Sequence, residues 1–310
     1  MKSIVGKWRK SLAGGPVPVL AIFLIMALMM AGCGTAGTGA SSEGTTEKDY
    51  SALVADKSEM IDEDEVVLDG MEPIEGKDLK DGDYPITVST SSTMFPVTDC
   101  TLSVKNGEMT AEMVMSGTGY LYVYPGTGLE AAKADQSDHI PFEENADGKH
   151  TFTIPVPALN AAVPCASFSK RKEKWYNRLL CFRADSLPLD AFQDGVIVTP
   201  DSLKLAPGEY NVEVTLGGGS GRADLASPAT LKVEKDSCTA VITWSSENYD
   251  YMLVNGDRYE PVNTEGNSMF EIPVAFFDMP FAVVADTTAM SQPYEIDYTL
   301  RFDSASIQKK

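Results

Sequence analysis

The chain has 310 residues, 43% of them hydrophobic, and a formal charge of −20 from 45 acidic and 25 basic side chains. That apolar content suffices for two ordinary cores, while the acidic balance argues against nucleic acid, which needs clustered Lys and Arg. The two histidines, His139 and His150, both lie in polar sequence, which argues against imidazole metal sites and a Ser-His-Asp triad.

The first ten residues are basic, and Val17 to Met30 is an almost unbroken apolar run followed by Ala31-Gly32-Cys33. Small residues before a lone Cys after a short apolar stretch fit a bacterial lipoprotein signal, 1–32, with cleavage before Cys33 and lipidation of its thiol. An uncleaved membrane helix is the other reading. Acyl chains add ~0.8 kcal/mol of anchoring per buried methylene. Removal of 1–32 takes four basic residues and no acid, so the formal charge falls from −20 to −24. The expected location is the cell membrane, lipid-anchored on its extracellular face. Residues 33–79 are Gly/Ser/Thr-rich and then acidic, the composition of a flexible tether, with a weak short helix around Ser51–Glu59.

The remainder repeats. Asp81 to Val88 parallels Pro207 to Val214, and Thr101 to Val104 with its Lys105-Asn106-Gly107 turn parallels Thr230 to Val233. Met109 to Val114 parallels Cys238 to Thr243, Phe152 to Val156 parallels Phe270 to Val274, and Tyr176 to Phe182 parallels Ile296 to Phe302. Short alternating runs with Gly, Asn, Asp and Pro at the turns predict antiparallel β-sandwiches. The expected division is 80–185 and 204–304, joined by a linker at 186–203 and followed by a tail at 305–310. The best helical stretch, Gly128 to Ser137, sits in an insertion peculiar to the first half. Gly217 to Gly221 follows a strand but lacks the helix of a phosphate cradle.

The last strand, Tyr294 to Phe302, alternates with period 2, placing Tyr294, Ile296, Tyr298, Leu300 and Phe302 on one face. The two tyrosines lie ~13 Å apart along it, and serve either a core or a pocket. Tyr120, Tyr122 and Tyr124 likewise share a face, as an aromatic stripe or a ligand platform. Trp244 reads as core, whereas Tyr249 and Tyr251 stack on a sugar or close the same pocket. Lys170 to Lys174 is a charged hairpin tip, either solvated or touching an anionic surface. Cys165 and Cys181 flank a hairpin centred near Glu173 and face each other for a disulfide if the geometry allows; buried free thiols are the default.

The order of a G-x-Y strand, Ser227-Pro228-Ala229-Thr230-Leu231-Lys232-Val233, an aromatic hairpin, an F-x-I-P-V strand and Tyr294-Glu295-Ile296-Asp297-Tyr298 resembles the NEAT (near-iron-transporter) domains of Gram-positive surface proteins. The fold expected is all-β: two tandem immunoglobulin-like, NEAT-like antiparallel sandwiches. The resemblance implies haem as ligand, with Tyr294 bound to ferric iron and Tyr298 supporting it, since a phenolate is a hard anionic donor for Fe(III). Ser220 and Arg222 would meet the propionates. A second possible pocket has the lip Ser92, Met94 and Phe95 with Tyr176, but lacks the second tyrosine. Two functions are in play. One is capture of haem or an iron chelate for an ABC-type importer; the other is a structural or adhesive surface protein binding cell-wall carbohydrate or a protein partner. Nucleophile motifs are absent, so no enzyme activity is expected.

Overall fold

The computed structural model describes residues 49–56, 66–68, 70–290 and 292–310. The signal at 1–32, Cys33 and much of the tether lie outside the described residues. Strands β1 (Gly82–Pro85), β2 (Thr87–Thr90), β3 (Val97–Lys105), β4 (Glu108–Met115), β5 (Tyr120–Tyr124), β6 (Ile140–Pro141), β7 (Glu143–Glu144), β8 (His150–Pro155), β9 (Val163–Ser169) and β10 (Trp175–Arg183) build two antiparallel sheets, β1-β3-β4-β8-β7 and β2-β10-β9-β5-β6. The second set is β11 (Gly208–Val212), β12 (Val214–Gly218), β13 (Ala229–Val233), β14 (Cys238–Thr243), β15 (Tyr249–Val254), β16 (Asp257–Tyr259), β17 (Met269–Pro273), β18 (Phe281–Thr287), β19 (Tyr294–Phe302) and β20 (Gln308–Lys309). Its sheets run β17-β14-β13-β11-β20 and β12-β19-β18-β15-β16, the same order except that, among the described residues, β20 is added at one edge and the edge strand corresponding to β7 is missing at the other. Residues 305–310 are therefore not a free tail.

Alternation builds these strands: β4 buries Met109, Ala111, Met113 and Met115, and β14 buries Cys238, Ala240 and Ile242. Two-residue Asn-Gly turns join β3 to β4 and β15 to β16. Asn106 and Gly107 have φ of 54° and 79°, and Asn255 and Gly256 have 52° and 84°, as such hairpins require. One core gathers Phe95, Leu102, Phe152 and Phe182, and the other Leu231, Trp244, Phe270 and Phe302. Each large apolar side chain so buried contributes roughly 1.5–3 kcal/mol. The repeat reaches single hydrogen bonds: the Tyr84 hydroxyl donates to Lys80 O at 3.0 Å and the Tyr210 hydroxyl to Ala206 O at 2.7 Å.

Helix α1 (Gly128–Lys133) starts at the Thr127–Glu130 capping box. It covers Ala166, Trp175 and Phe168 on the outer face of the first sandwich. Helix α2 (Pro200–Leu203) is capped by Thr199. Of the short helix expected around Ser51–Glu59, residues 51–56 are described, and a 3-10 turn forms there at Ser51–Leu53.

Part of the expected tether is packed. Val66 and Met71 bury with Cys181, Val54 bridges to Trp175, and Ile74 pairs with Leu159. The reason is the apolar outer face of β10, where Leu179 and Cys181 need a cover. The linker is packed as well, through Phe192 beside Leu79 and Val198 beside Phe277. Cys165 and Cys181 are not bonded: all four described cysteines are free and buried. Cys165 stands opposite Arg178, so the hairpin register lies off the assumed centre and Cys181 faces Ser89 on β2 instead. Burial pushes the Cys100 and Cys165 thiols up to about 12.

One carboxylate joins the two sandwiches. Asp185 follows β10 and accepts from Arg183 Nε at 2.9 Å and Nη2 at 2.7 Å; both side chains are almost buried. Its Oδ2 also accepts the backbone N–H of Ala282 on β18 at 2.8 Å. Met279 packs against both cores. Asp185→Ala strands a buried guanidinium and an amide at once. We expect a loss of ~3–5 kcal/mol, read as a lower urea midpoint.

Candidate functional site

The sequence singled out β19, and the structure splits its tyrosine pair. Tyr298 is 2% exposed and Tyr294 is 59% exposed. The two share a face, but the core ends between them at half-buried Ile296. The Tyr298 hydroxyl lies 3.1 Å from the Tyr249 hydroxyl, and both rings pack on Trp244. Burial, then the bond to Tyr249, pushes the Tyr298 phenol above its ordinary value. Gly219 (φ 62°) seals this site: a Cβ there would fall 2.4 Å from the Tyr298 ring. Ser220 and Arg222 are exposed on the turn beyond it.

The structure gives the two tyrosines of the expected pair different surroundings. The Tyr298 hydroxyl is turned inward onto Tyr249, and Tyr249, expected at a pocket or sugar, belongs to the core. Tyr294, Tyr298, Ser220 and Arg222 line none of the cavities described below. Tyr298→Phe leaves the Tyr249 hydroxyl buried without its partner. A loss of ~1–2 kcal/mol is expected, measured by chemical denaturation with the fold kept by circular dichroism.

In the first sandwich the lip residues cluster. Ser92 and Phe95 are buried, Met94 is 71% exposed, and Phe95 packs edge-on against Tyr120 at 5.1 Å. Tyr176 is half-buried and lies under the Arg178 guanidinium, 5.0 Å from its ring centre. The shared stripe of Tyr120, Tyr122 and Tyr124 does not form. The register shifts between Tyr120 and Tyr122, so Tyr120 joins the core while Tyr122 and Tyr124 pack outside with Trp175. Arg178 was missed in the sequence, although the repeat aligns it with Tyr298.

The same shift recurs between Tyr249 and Tyr251, leaving Asp250 as the extra residue of β15. On the outer face of the second sandwich Tyr251, Asp286 and Glu295 then form one cross-strand row. The Tyr251 hydroxyl donates to Glu295 Oε1 at 2.6 Å, and the Arg258 guanidinium lies 3.6 Å over the Tyr251 ring. Asp286 is 3% exposed. Burial first, and then its contact with Asp250, hold the Asp286 carboxyl above the ordinary aspartate value of 3.8, with Glu295 adding to the rise and Arg258 opposing it. The folded chain thus keeps that proton to a higher pH than the unfolded one. Stability falls as pH rises above 3.8 through the raised value. Asp286→Asn removes this slope, which urea titrations at pH 4 to 7 would read.

The larger cavities lie along the junction. One of about 640 Å³ is lined by Pro85, Leu187, Pro188, Leu253, Asn255 and Val284, with Arg183 and Asp185 at its base. A second, of about 690 Å³, lies between α2 and the Glu234–Cys238 turn. A third, of about 360 Å³, is formed by Ile74, Val196 and Phe277 with their neighbours. One of about 280 Å³ lies beside Ile86 and Cys100, and one of about 380 Å³ between Glu247 and Ser268. Among the described residues, no group of three or more His, Cys, Asp or Glu side chains is placed to hold a metal ion. No protein-family model and no curated protein matches the chain.

Proposed function

We propose that this chain is a surface-tethered interaction protein, in which a rigid pair of β-sandwiches engages a cell-wall or protein partner through the cleft between them. The observation that carries this reading is the burial of the Tyr298 hydroxyl against Tyr249, which leaves Tyr294 as a lone rim phenol. The Asp185 bracket supports it, because it fixes the cleft walls Leu253 and Val284 relative to Pro85 and Leu187. Apolar walls with a few polar groups are the ordinary composition of a binding site.

An absorbance titration of the chain from residue 34 with ferric haem, beside Tyr294→Ala, tests the choice. A featureless, non-saturating response in both is the expected result. A saturable Soret band near one equivalent that is lost in Tyr294→Ala returns the assignment to haem capture and an importer. In parallel, sedimentation with purified Gram-positive cell wall should show binding that Val284→Arg, at the cleft wall, weakens at least tenfold.

A further inference from the structure

The first sandwich carries a second feature that the cleft does not use. Arg178 is 4% exposed, yet no carboxylate of the described residues lies within ion-pairing distance of it. Its Nη1 donates to Asn177 O at 3.0 Å and its Nη2 to the Tyr120 hydroxyl at 3.4 Å, while its Nε is buried without a partner. Ser167 lies on the same inner face of the adjacent strand, opposite Tyr176. It is 0% exposed and its Oγ also lacks a partner. Native interiors rarely leave such groups unpaired, and each one asks for an explanation.

The repeat sets the two sandwiches side by side here. Arg178 occupies the position of Tyr298, and Tyr120 that of Tyr249. Where the second sandwich closes this end with a neutral phenol pair under Gly219, the first has a guanidinium and a phenol. A buried positive charge without a counter-charge is costly. The surroundings are also those of an anion site. The hairpin tip at this end presents Lys170, Arg171, Lys172 and Lys174 against the single acid Glu173, all exposed, in a chain of net charge −20. Lys170 N–H donates to Gly119 O and Ser116 N–H to Pro96 O, so the tip, the neighbouring loop and the Ser91–Pro96 lip meet at one end. The lip is latched to the guanidinium through Tyr120, whose hydroxyl donates to Met94 O at 2.9 Å.

We propose that this end of the first sandwich binds a small oxyanion, a carboxylate or phosphate group. Arg178 Nε and Nη2 would form the fork and Ser167 a further donor, once the Met94–Phe95 lip lifts. A planar guanidinium matches such oxygens in a bidentate way, and the basic tip steers them inward. The site shares no residue with the cleft, so it stands or falls apart from the wall-binding reading.

The test is calorimetric titration of the chain from residue 34 with inorganic phosphate and, separately, with acetate, at low ionic strength. Saturable binding of one of the two is expected, and which one binds names the group. Arg178→Gln should abolish it, and Arg178→Lys, which keeps the charge but not the fork, should weaken it about tenfold. The exposed double variant Lys170→Gln/Lys172→Gln serves if Arg178→Gln fails to fold. It should weaken binding several-fold, with the difference vanishing in high salt. Absence of saturable binding of either probe, or binding that these variants leave unchanged, overturns the proposal.

Discussion

The junction of the two sandwiches is organised around the Asp185 carboxylate. It is withdrawn from water, accepts two hydrogen bonds from Arg183 on its own sandwich and takes a third from the Ala282 amide of the other. A buried ion pair of this kind adds little net stability over an apolar contact, because both ions have lost their hydration. What it does impose is geometry. The fork of the guanidinium sets the plane of the carboxylate, and the remaining lone pair then admits one direction of approach for β18. The neighbouring turn is set in the same way, since Asn160 Oδ1 accepts from Ala184 N–H and Ser186 Oγ from Thr87 N–H. Everything between the sandwiches inherits its shape from this cluster of directional bonds.

The two sandwiches share a topology and differ in how they finish each face. Tyr122, Phe168 and Trp175 line the outer face of the first, at the positions that Tyr251, Asp286 and Glu295 occupy in the second. The apolar version cannot be left in water, and α1 lies over it, docked by Gly128 N–H on Asn177 Oδ1 at 2.6 Å. The polar version carries no helix: Tyr251 bonds Glu295 and lies under Arg258, while Asp286 Oδ2 stays buried without a hydrogen-bond partner. One scaffold thus tolerates two solutions, and the insertion at 128–133 is explained by three side chains on neighbouring strands.

Much of this was legible in the sequence. Period-2 burial along β4 and β14, the Asn106-Gly107 turn and the five parallel segments are local or translational signals, and the sheets repeat accordingly. Three of the failures share one physical cause, which is register. A single extra residue at each of two equivalent positions in β5 and β15 rotates the rest of the strand onto the opposite face. That divides Tyr120 from Tyr122 and sends Tyr249 into the core while Tyr251 stays outside. Cys165 and Cys181 missed each other because the hairpin turns off the assumed centre. Tyr294 and Tyr298 did share a face as read, but alternation gives no information about where along a strand the core stops. Nor does composition show that Val66 and Met71, in an acidic stretch, would find an uncovered apolar strand. Arg178 was readable only by aligning the repeat residue by residue.

The short strand β20 has a consequence for how copies of this chain coexist at high concentration. Gln308 and Lys309 pair with Asn211 and Tyr210, and Lys310 N–H donates to Glu209 O. They occupy a sheet margin whose free amides and carbonyls would otherwise recruit a strand from a neighbouring molecule. Filling that margin from within lets many copies crowd side by side without their sheets fusing into a continuous array.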